Sequence, residues 1–239
     1  MTPPRSPRRE FLGKLAGGAV ALSLSSIGAR EAFASVVATG AIATSTDSPT
    51  PSDKWLSQLT GEYRQLFDTP NPVGGMGLLH VRNYLDTYRE VYHVTHPAVT
   101  AVNTMYGGTT MLAFNDAMWK KYDLGKATKV MDGSNSPAVS NVFYKAPTGA
   151  QTLSLTGAPA PIPADASISA LQARGTIFLL CNNVFNLWMG MLAAGTHGKA
   201  EDLREEFLAN MLPGIQLVPA MVIAIGQAQK HGCSYMYVA

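Results

Sequence analysis

The stretch TIFLLCNNVFNLWMGMLAAG (Thr176–Gly195) decides the fold. Its first six residues are apolar apart from Thr176, lie between Gly175 and two asparagines, and are too few for a helix. A short continuous apolar run bounded by turn residues reads as a strand buried on both faces, the kind found inside parallel sheets. Directly behind it, Val184–Ala194 is apolar nearly all the way round, carrying Val184, Phe185, Leu187, Trp188, Met189, Met191 and Leu192. Such a helix needs cover on more than one side, from the sheet on one face and from a second subunit on the rest. A doubly buried strand running straight into a helix is half of a β-α-β unit.

Reading outward, the same alternation recurs. Ser167 is placed to cap the short helix ISALQAR, which Gly175 closes. Downstream, KAEDLREEFLANML carries Ala200, Leu203, Phe207 and Met211 on one stripe; PGIQLVPA reads as a strand, MVIAIGQAQKHG as a helix stopped by Gly232, and CSYMYVA as a last strand. Upstream, DKWLSQLTGEYRQLF opens the ordered domain with a short helix or arm, and a first strand is predicted over Gln65–Thr69. Leu78, Val81, Leu85, Tyr88 and Tyr92 recur at helical spacing until Pro97 breaks the pattern, and a buried strand begins at Ala98. Gly107-Gly108 makes a tight turn, after which TTMLAFNDAMWKKYDLG reads as one helix with Gly125 near its end. Residues 131–166 are rich in Pro and Gly and read as a long surface excursion with a hairpin near Val142–Tyr144. Strands separated by crossover helices imply a mostly parallel sheet with helices on both faces. The expectation is a single α/β domain over 54–239, a flavodoxin-like three-layer sandwich.

Composition bounds the function. The chain has 239 residues, 46% of them hydrophobic and 14% charged, enough to bury a sizeable core. With a formal net charge of +2 and no basic stripe interleaved with aromatics, nucleic acid is not an expected partner. The N-terminus has Arg8-Arg9 before Phe11-Leu12 and Lys14, then an uncharged run from Leu15 to Ala29 and Ala32-Phe33-Ala34 as a small-residue cleavage site. This resembles a twin-arginine export signal over 1–34, with periplasmic localisation as its consequence. The run is too short for a stable membrane span. Residues 35–53, rich in Ala, Ser, Thr and Pro, are expected to be a flexible linker.

Ligands of parallel sheets bind at the carboxyl ends of the strands. Four loops meet there: Asp68–Gly77, Met105–Thr109, Cys181–Asn183 and Pro219–Ala220. Cys181 ends its strand, and Asn182 or Asn183 can cap the following helix, whose free N–H groups and positive end favour a thiolate. An unpaired cysteine in an apolar strand also serves as a small core residue, and spacing leaves both roles open. Tyr106, Gly107 and Gly108 form the neighbouring strand end. Arg82 and Asn83 could reach across to the strand ends or serve packing and solvation. His93 and His96 have a metal-compatible spacing, but Pro97 follows directly and no third ligand is near, so no metal site is expected. Asp116 and Trp119 read as a capped, buried helix face. Gly74-Gly75-Met76-Gly77 departs from the dinucleotide fingerprint and reads as a plain loop. No Ser-His-Asp arrangement can be argued from spacing. Two cysteines in an exported chain suggest a disulfide. Yet Cys181 closes its strand while Cys233 opens another, so in a parallel sheet the two thiols belong to opposite edges and are expected to be free.

Four blocks, HVRNYL, MYGGTTMLAFNDAMW, ARGTIFLLCNN and MLPGIQLVPAMVIAIGQAQKHGCSYMYV, resemble the DsrE-like family of sulfur-relay proteins. The likeness spans roughly residues 60–239 apart from the 131–166 excursion. It implies a parallel α/β sandwich that assembles as a homo-oligomer, commonly a trimer or hexamer. It also implies a cysteine at the end of the third core strand, here Cys181, that accepts sulfane sulfur as a persulfide without a cofactor and exchanges it with a donor or acceptor protein. The well-studied relays are cytoplasmic, whereas this chain carries an export signal. The alternative from a different class is a non-catalytic oligomeric module that binds a small ligand or serves as an accessory subunit of an exported complex.

Overall fold

In the computed structural model, described over residues 53–145, 151–153, 159–196 and 198–238, five strands form one parallel sheet. They are β1 (Tyr63–Asp68), β2 (Val99–Met105), β5 (Ile177–Cys181), β6 (Ile215–Val218) and β7 (Ser234–Tyr237), in the spatial order β6-β5-β2-β1-β7. Two further strands, β3 (Gln151–Leu153) and β4 (Pro159–Pro161), pair antiparallel as a separate small ladder. The predicted three-layer α/β architecture is therefore the observed one, and every strand of the main sheet is parallel. The segments read as an export signal (1–34) and a linker (35–53) lie outside the described residues, apart from Asp53, which opens a 3-10 turn. No described helix is long and apolar enough to cross a membrane.

The connections explain the layers. Helix α1 (Met76–Val91) joins β1 to β2 and buries Leu78, Val81 and Leu85. Helix α5 (Asn182–Thr196), burying Phe185, Met189 and Ala193, and α6 (Ala200–Ala209), burying Leu203 and Phe207, join β5 to β6. All of these side chains pack in one core with Phe67, Ala101, Met105, Phe178 and Leu180, so the β1-to-β2 and β5-to-β6 crossovers cover the same face of the sheet. The connection from β6 to β7 must return from one edge of the sheet to the other. A right-handed crossover in that direction runs over the opposite face. Helix α7 (Met221–Lys230) does so, packing Met221, Ala224 and Ala228 against Leu66, Val102, Leu179 and Cys181. Among the described residues, the segment from the 3-10 turn Asp53–Gln58 to Leu59 also packs on this second face, through Trp55 and Leu59.

Three sequence expectations are corrected. The single helix predicted over TTMLAFNDAMWKKYDLG is a 3-10 turn, Gly107–Ala113, followed by two short helices, α2 (Asp116–Lys121) and α3 (Leu124–Thr128). Phe114 is extended at the break, and the Asn115 side chain accepts from the amides of Ala117 and Met118, so an N-cap starts a new helix there. Trp119 takes the expected role, buried with its indole N–H on Met111 O, whereas Asp116 is exposed and accepts from Asn141 N, the cap being Asn115. The excursion is not purely superficial, because Val142, Phe143 and Ile162 are buried in the main core. Its hairpin is β3-β4; Val142–Tyr144 is a turn, tied by Asn141, whose amide donates to Leu112 O and Phe114 O. Finally, β1 begins at Tyr63, where Tyr63 N donates to Ala98 O.

The excursion returns to helix α4 (Ile168–Ala173), which Ser167 caps by accepting from Ala170 N, as predicted. Around α1, Asp86 receives Arg82, Arg89 and Arg174, and Arg82 also pairs with Asp165 of the returning segment at 2.8 Å. This network staples the excursion to α1.

Candidate functional site

At the carboxyl end of the sheet, Cys181 lies in register with Val218 of β6. The chain leaves β5 over the first face and leaves β6 over the second. Adjacent strands whose connections diverge in this way open the crevice where α/β proteins bind ligands, and Cys181 lies at that crevice. Its alternation with Leu180 turns the side chain to the second face, beneath α7.

The sulfur has a specific partner. Ala220, at the start of α7, is extended and supplies no side-chain cap, and Met221 is the first helical residue. The Met221 N–H donates to Cys181 Sγ at 3.3 Å. A helix start leaves backbone N–H groups without partners, and here the thiol sulfur takes the place of a capping oxygen. The ten-residue helix directs its amino-terminal end at the sulfur. The supporting helix is thus α7, reached from β6, and not the helix that follows the cysteine in sequence. Helix α5 starts at Asn182 itself; Asn182 Oδ1 is buried without a hydrogen-bond partner, and Asn183 is exposed. Cys181 is 3% exposed and packs in the second-face core with Leu179, Val218 and Met221, so the thiol is buried rather than displayed at the strand end.

Tyr106 continues β2 in extended conformation, one residue beyond the Met105–Leu180 pair, and packs against the cluster that holds Cys181. Gly107 and Gly108 serve close packing. A Cβ on Gly107 would stand 2.8 Å from Pro70 O, and Gly107 has φ +62°, so only glycine fits comfortably. Gly108 N donates to Pro70 O, and the Trp188 indole N–H donates to Gly107 O at 2.9 Å, joining α5 to the β2 loop.

The structure adds a group that the sequence reading passed over. Asp68 ends β1 on the same face as Tyr106 and Cys181 and is 4% exposed. Its carboxylate accepts from Thr104 Oγ1 at 3.1 Å and from the Tyr235 hydroxyl at 2.6 Å, and Tyr106 bonds to it as well. No basic side chain among the described residues pairs with it. Burial, then the bond to Asp68, holds the Tyr106 phenol well above its ordinary pKa. The same bond, aided by burial, pushes Tyr235 up to about 12. Cys181, Tyr106, Asp68 and Tyr235 thus form a row across four neighbouring strands on one face. The available signal was a lone carboxylate closing the run YRQLFD, where a strand end meets the ligand edge.

Other candidates fall elsewhere. Arg82 is committed to its ion pairs on the first face, and Asn83 lines a groove of about 350 Å³ with His80, Tyr84, Tyr88, Phe67 and Met236, also on the first face. Neither joins Cys181. The helix ends at Val91, before His93, so the two histidines share no helical face. His96 lines a depression of about 620 Å³ with Gln172, Thr176 and Gln216 at the amino edge of the sheet. No cluster of three metal-ligating side chains occurs among the described residues. Cys181 and Cys233 are both free and buried, with β2 and β1 between their strands, and burial pushes the Cys233 thiol up.

Compared with known proteins, the chain matches no family model and no curated protein.

Proposed function

We propose that this protein handles sulfane sulfur in the periplasm, after twin-arginine export, by carrying it as a persulfide on Cys181. One observation carries the reading: the Cys181 sulfur accepts the first N–H of α7 in the crevice between the carboxyl ends of β5 and β6. The resemblance of the four sequence blocks to sulfur relays points the same way. In the reaction, the thiol first loses its proton to solvent. The thiolate then attacks the outer sulfur of thiosulfate or of a polysulfide chain. A new S–S bond forms at Cys181 as the donor's S–S bond breaks, and sulfite or the shortened polysulfide leaves with the electron pair. The persulfide anion stays near the Met221 N–H. A second thiol, on an acceptor protein, takes the outer sulfur and regenerates Cys181. No cofactor takes part.

Mass spectrometry after polysulfide or thiosulfate treatment tests this. The wild type gains one sulfur atom, and Cys181→Ser gains none. Met221→Pro separates the helix-end contribution from the thiol. Ala220 is already extended, as a residue before proline must be, and proline is tolerated at a first helical position. Hydrogen bonds to charged groups contribute about 1.5–3 kcal/mol, so Met221→Pro should load roughly ten- to a hundredfold more slowly. Met221→Leu, which keeps the N–H, loads at the wild-type rate. Equal loading by all three folded proteins removes the helix-end argument, and no gain in the wild type removes the function.

The second reading, a non-catalytic oligomeric module, is favoured by exposed apolar side chains. Val222 and Ile223 on α7 are 78% and 60% exposed, and Met191 on α5 is 50% exposed. A homo-oligomer covers such surface and is compatible with either reading. An oligomer whose Cys181 stays inert to every sulfur donor establishes the module.

A further inference from the structure

Strand β7 forms one edge of the sheet, and no described strand pairs with its outer side. Natural sheets guard such edges with lysine, proline or a bulge. The opposite edge, β6, lies between Pro213 and Pro219. Strand β7 reads Ser-Tyr-Met-Tyr, uncharged and unguarded, with Tyr235, Met236 and Tyr237 all more than a third exposed. We propose that this edge pairs with β7 of a second copy of the chain, antiparallel about a two-fold axis through Met236, joining two five-stranded sheets into one.

Two independent constraints select that register. The first is the direction of the free backbone groups. Val238 N donates to Asp68 O, so in the alternation of a parallel ladder Met236 and Val238 face β1, whereas Tyr235 and Tyr237 turn their N–H and C=O outward. A partner strand can be hydrogen-bonded only through these two residues. With Met236 on the axis, Tyr235 of each copy faces Tyr237 of the other, and each such pair exchanges two N–H···O bonds.

The second constraint is the parity of side chains. Tyr235 and Tyr237 lie on the second face of the sheet with Leu66 and Asp68, and Met236 lies on the first with Phe67. An axis normal to the sheet preserves faces, so directly opposed residues must share one. Tyrosine opposite tyrosine and Met236 opposite itself satisfy this. Both cross-strand pairs are then aromatic, and no like charges meet. The pairing also brings together the two copies of the groove lined by Met236, Tyr84 and Tyr88, along the first face. An unrelated extended peptide could use the same free N–H and C=O groups, but nothing in an arbitrary peptide matches tyrosine to tyrosine on one face.

Two variants test the proposal. Tyr237→Pro removes an outward N–H while leaving the bonds to β1, a position where an edge strand tolerates proline. Met236→Cys places two thiols directly opposite each other, where Cα atoms of an antiparallel pair stand about 4.5–5.5 Å apart, within disulfide range. By light scattering at micromolar concentration the wild type should have an even number of copies of the 25.4 kDa chain. Tyr237→Pro should halve that number with an unchanged circular dichroism spectrum. Mild oxidation of Met236→Cys should yield a covalent dimer whose peptide map joins residue 236 to residue 236. A monomeric wild type, an oligomer unchanged by Tyr237→Pro, or an oligomer that does not cross-link through position 236 overturns the proposal. So does a dimer linked only through another surface. None of these outcomes bears on whether Cys181 carries sulfur.

Discussion

Replacing Asp68 with alanine removes the acceptor on which three hydroxyl groups converge at the carboxyl end of β1. The cost follows from what each donor does next. Thr104 is fully buried and cannot reach water; it still accepts from Thr69 N, but its proton is left without a partner. An orphaned buried hydroxyl costs about 1–3 kcal/mol. Tyr235 is 44% exposed and rehydrates, and half-buried Tyr106 does so in part. Their lost bonds are offset by releasing the carboxylate from burial. The net expectation is about 1–3 kcal/mol, and with a urea slope of about 2 kcal/mol/M the midpoint falls by roughly 0.5–1.5 M. The pH dependence is a second, independent readout. Tyr235 is raised to about 12 in the folded chain, above its unfolded value near 10, so its contribution is complete below about pH 10 and is lost as pH rises through about 12. Tyr106 shifts in the same direction. The stability gap between wild type and Asp68→Ala should therefore narrow from pH 10 to 12, and in the variant phenolate absorbance should develop at lower pH. A midpoint unchanged at pH 7, or a gap that widens with pH over that range, would refute the assignment of Asp68 as the shared acceptor.

Phe207→Ala empties the centre of the ring cluster formed with Phe114, Tyr122 and Phe185, and calorimetry or urea unfolding should show a loss of about 3–5 kcal/mol. At Gly125 a Cβ would stand 2.2 Å from Ala138 O and 2.4 Å from Ala138 N; because backbone cannot rotate away, Gly125→Ala should lower stability by about 3 kcal/mol or more, read as a drop in melting temperature. Thiol titration of the unfolded, unreduced protein should find both Cys181 and Cys233 free, and a peptide map joining them would contradict the strand order.

Much of the architecture was legible because it follows from local chemistry. The run Ile177–Cys181 is apolar at every position, so a doubly buried strand is its only economical place, and the helical spacing from Leu78 to Tyr88 names the buried stripe of α1. Ser167 and Gly175 mark their helix ends through side-chain capping and a left-handed backbone, both properties of single residues. The single helix expected over Thr109–Gly125 does not form: its apolar residues suit a helix, but the break at Phe114 is supported by distant groups, Asn115 N donating to Asn210 O and the Asn141 side chain to Phe114 O.

The amino-acid sequence alone placed Cys181 at the end of a strand, on the ligand edge of a parallel sheet, because strand order along the chain and the handedness of crossovers require it. Which N–H meets its sulfur was decided only by the tertiary structure, since Met221 lies forty residues away and approaches through the pairing of β5 with β6. The alignment of Asp68, Tyr106 and Tyr235 on one face has the same origin. Asp68 ends β1 and Tyr106 directly follows β2, while Tyr235 is the second residue of β7, in register with Leu66, and only the register of β2, β1 and β7 makes them neighbours. Periodicity specifies which way a side chain points, whereas register between strands, set by packing over the whole core, specifies what it meets.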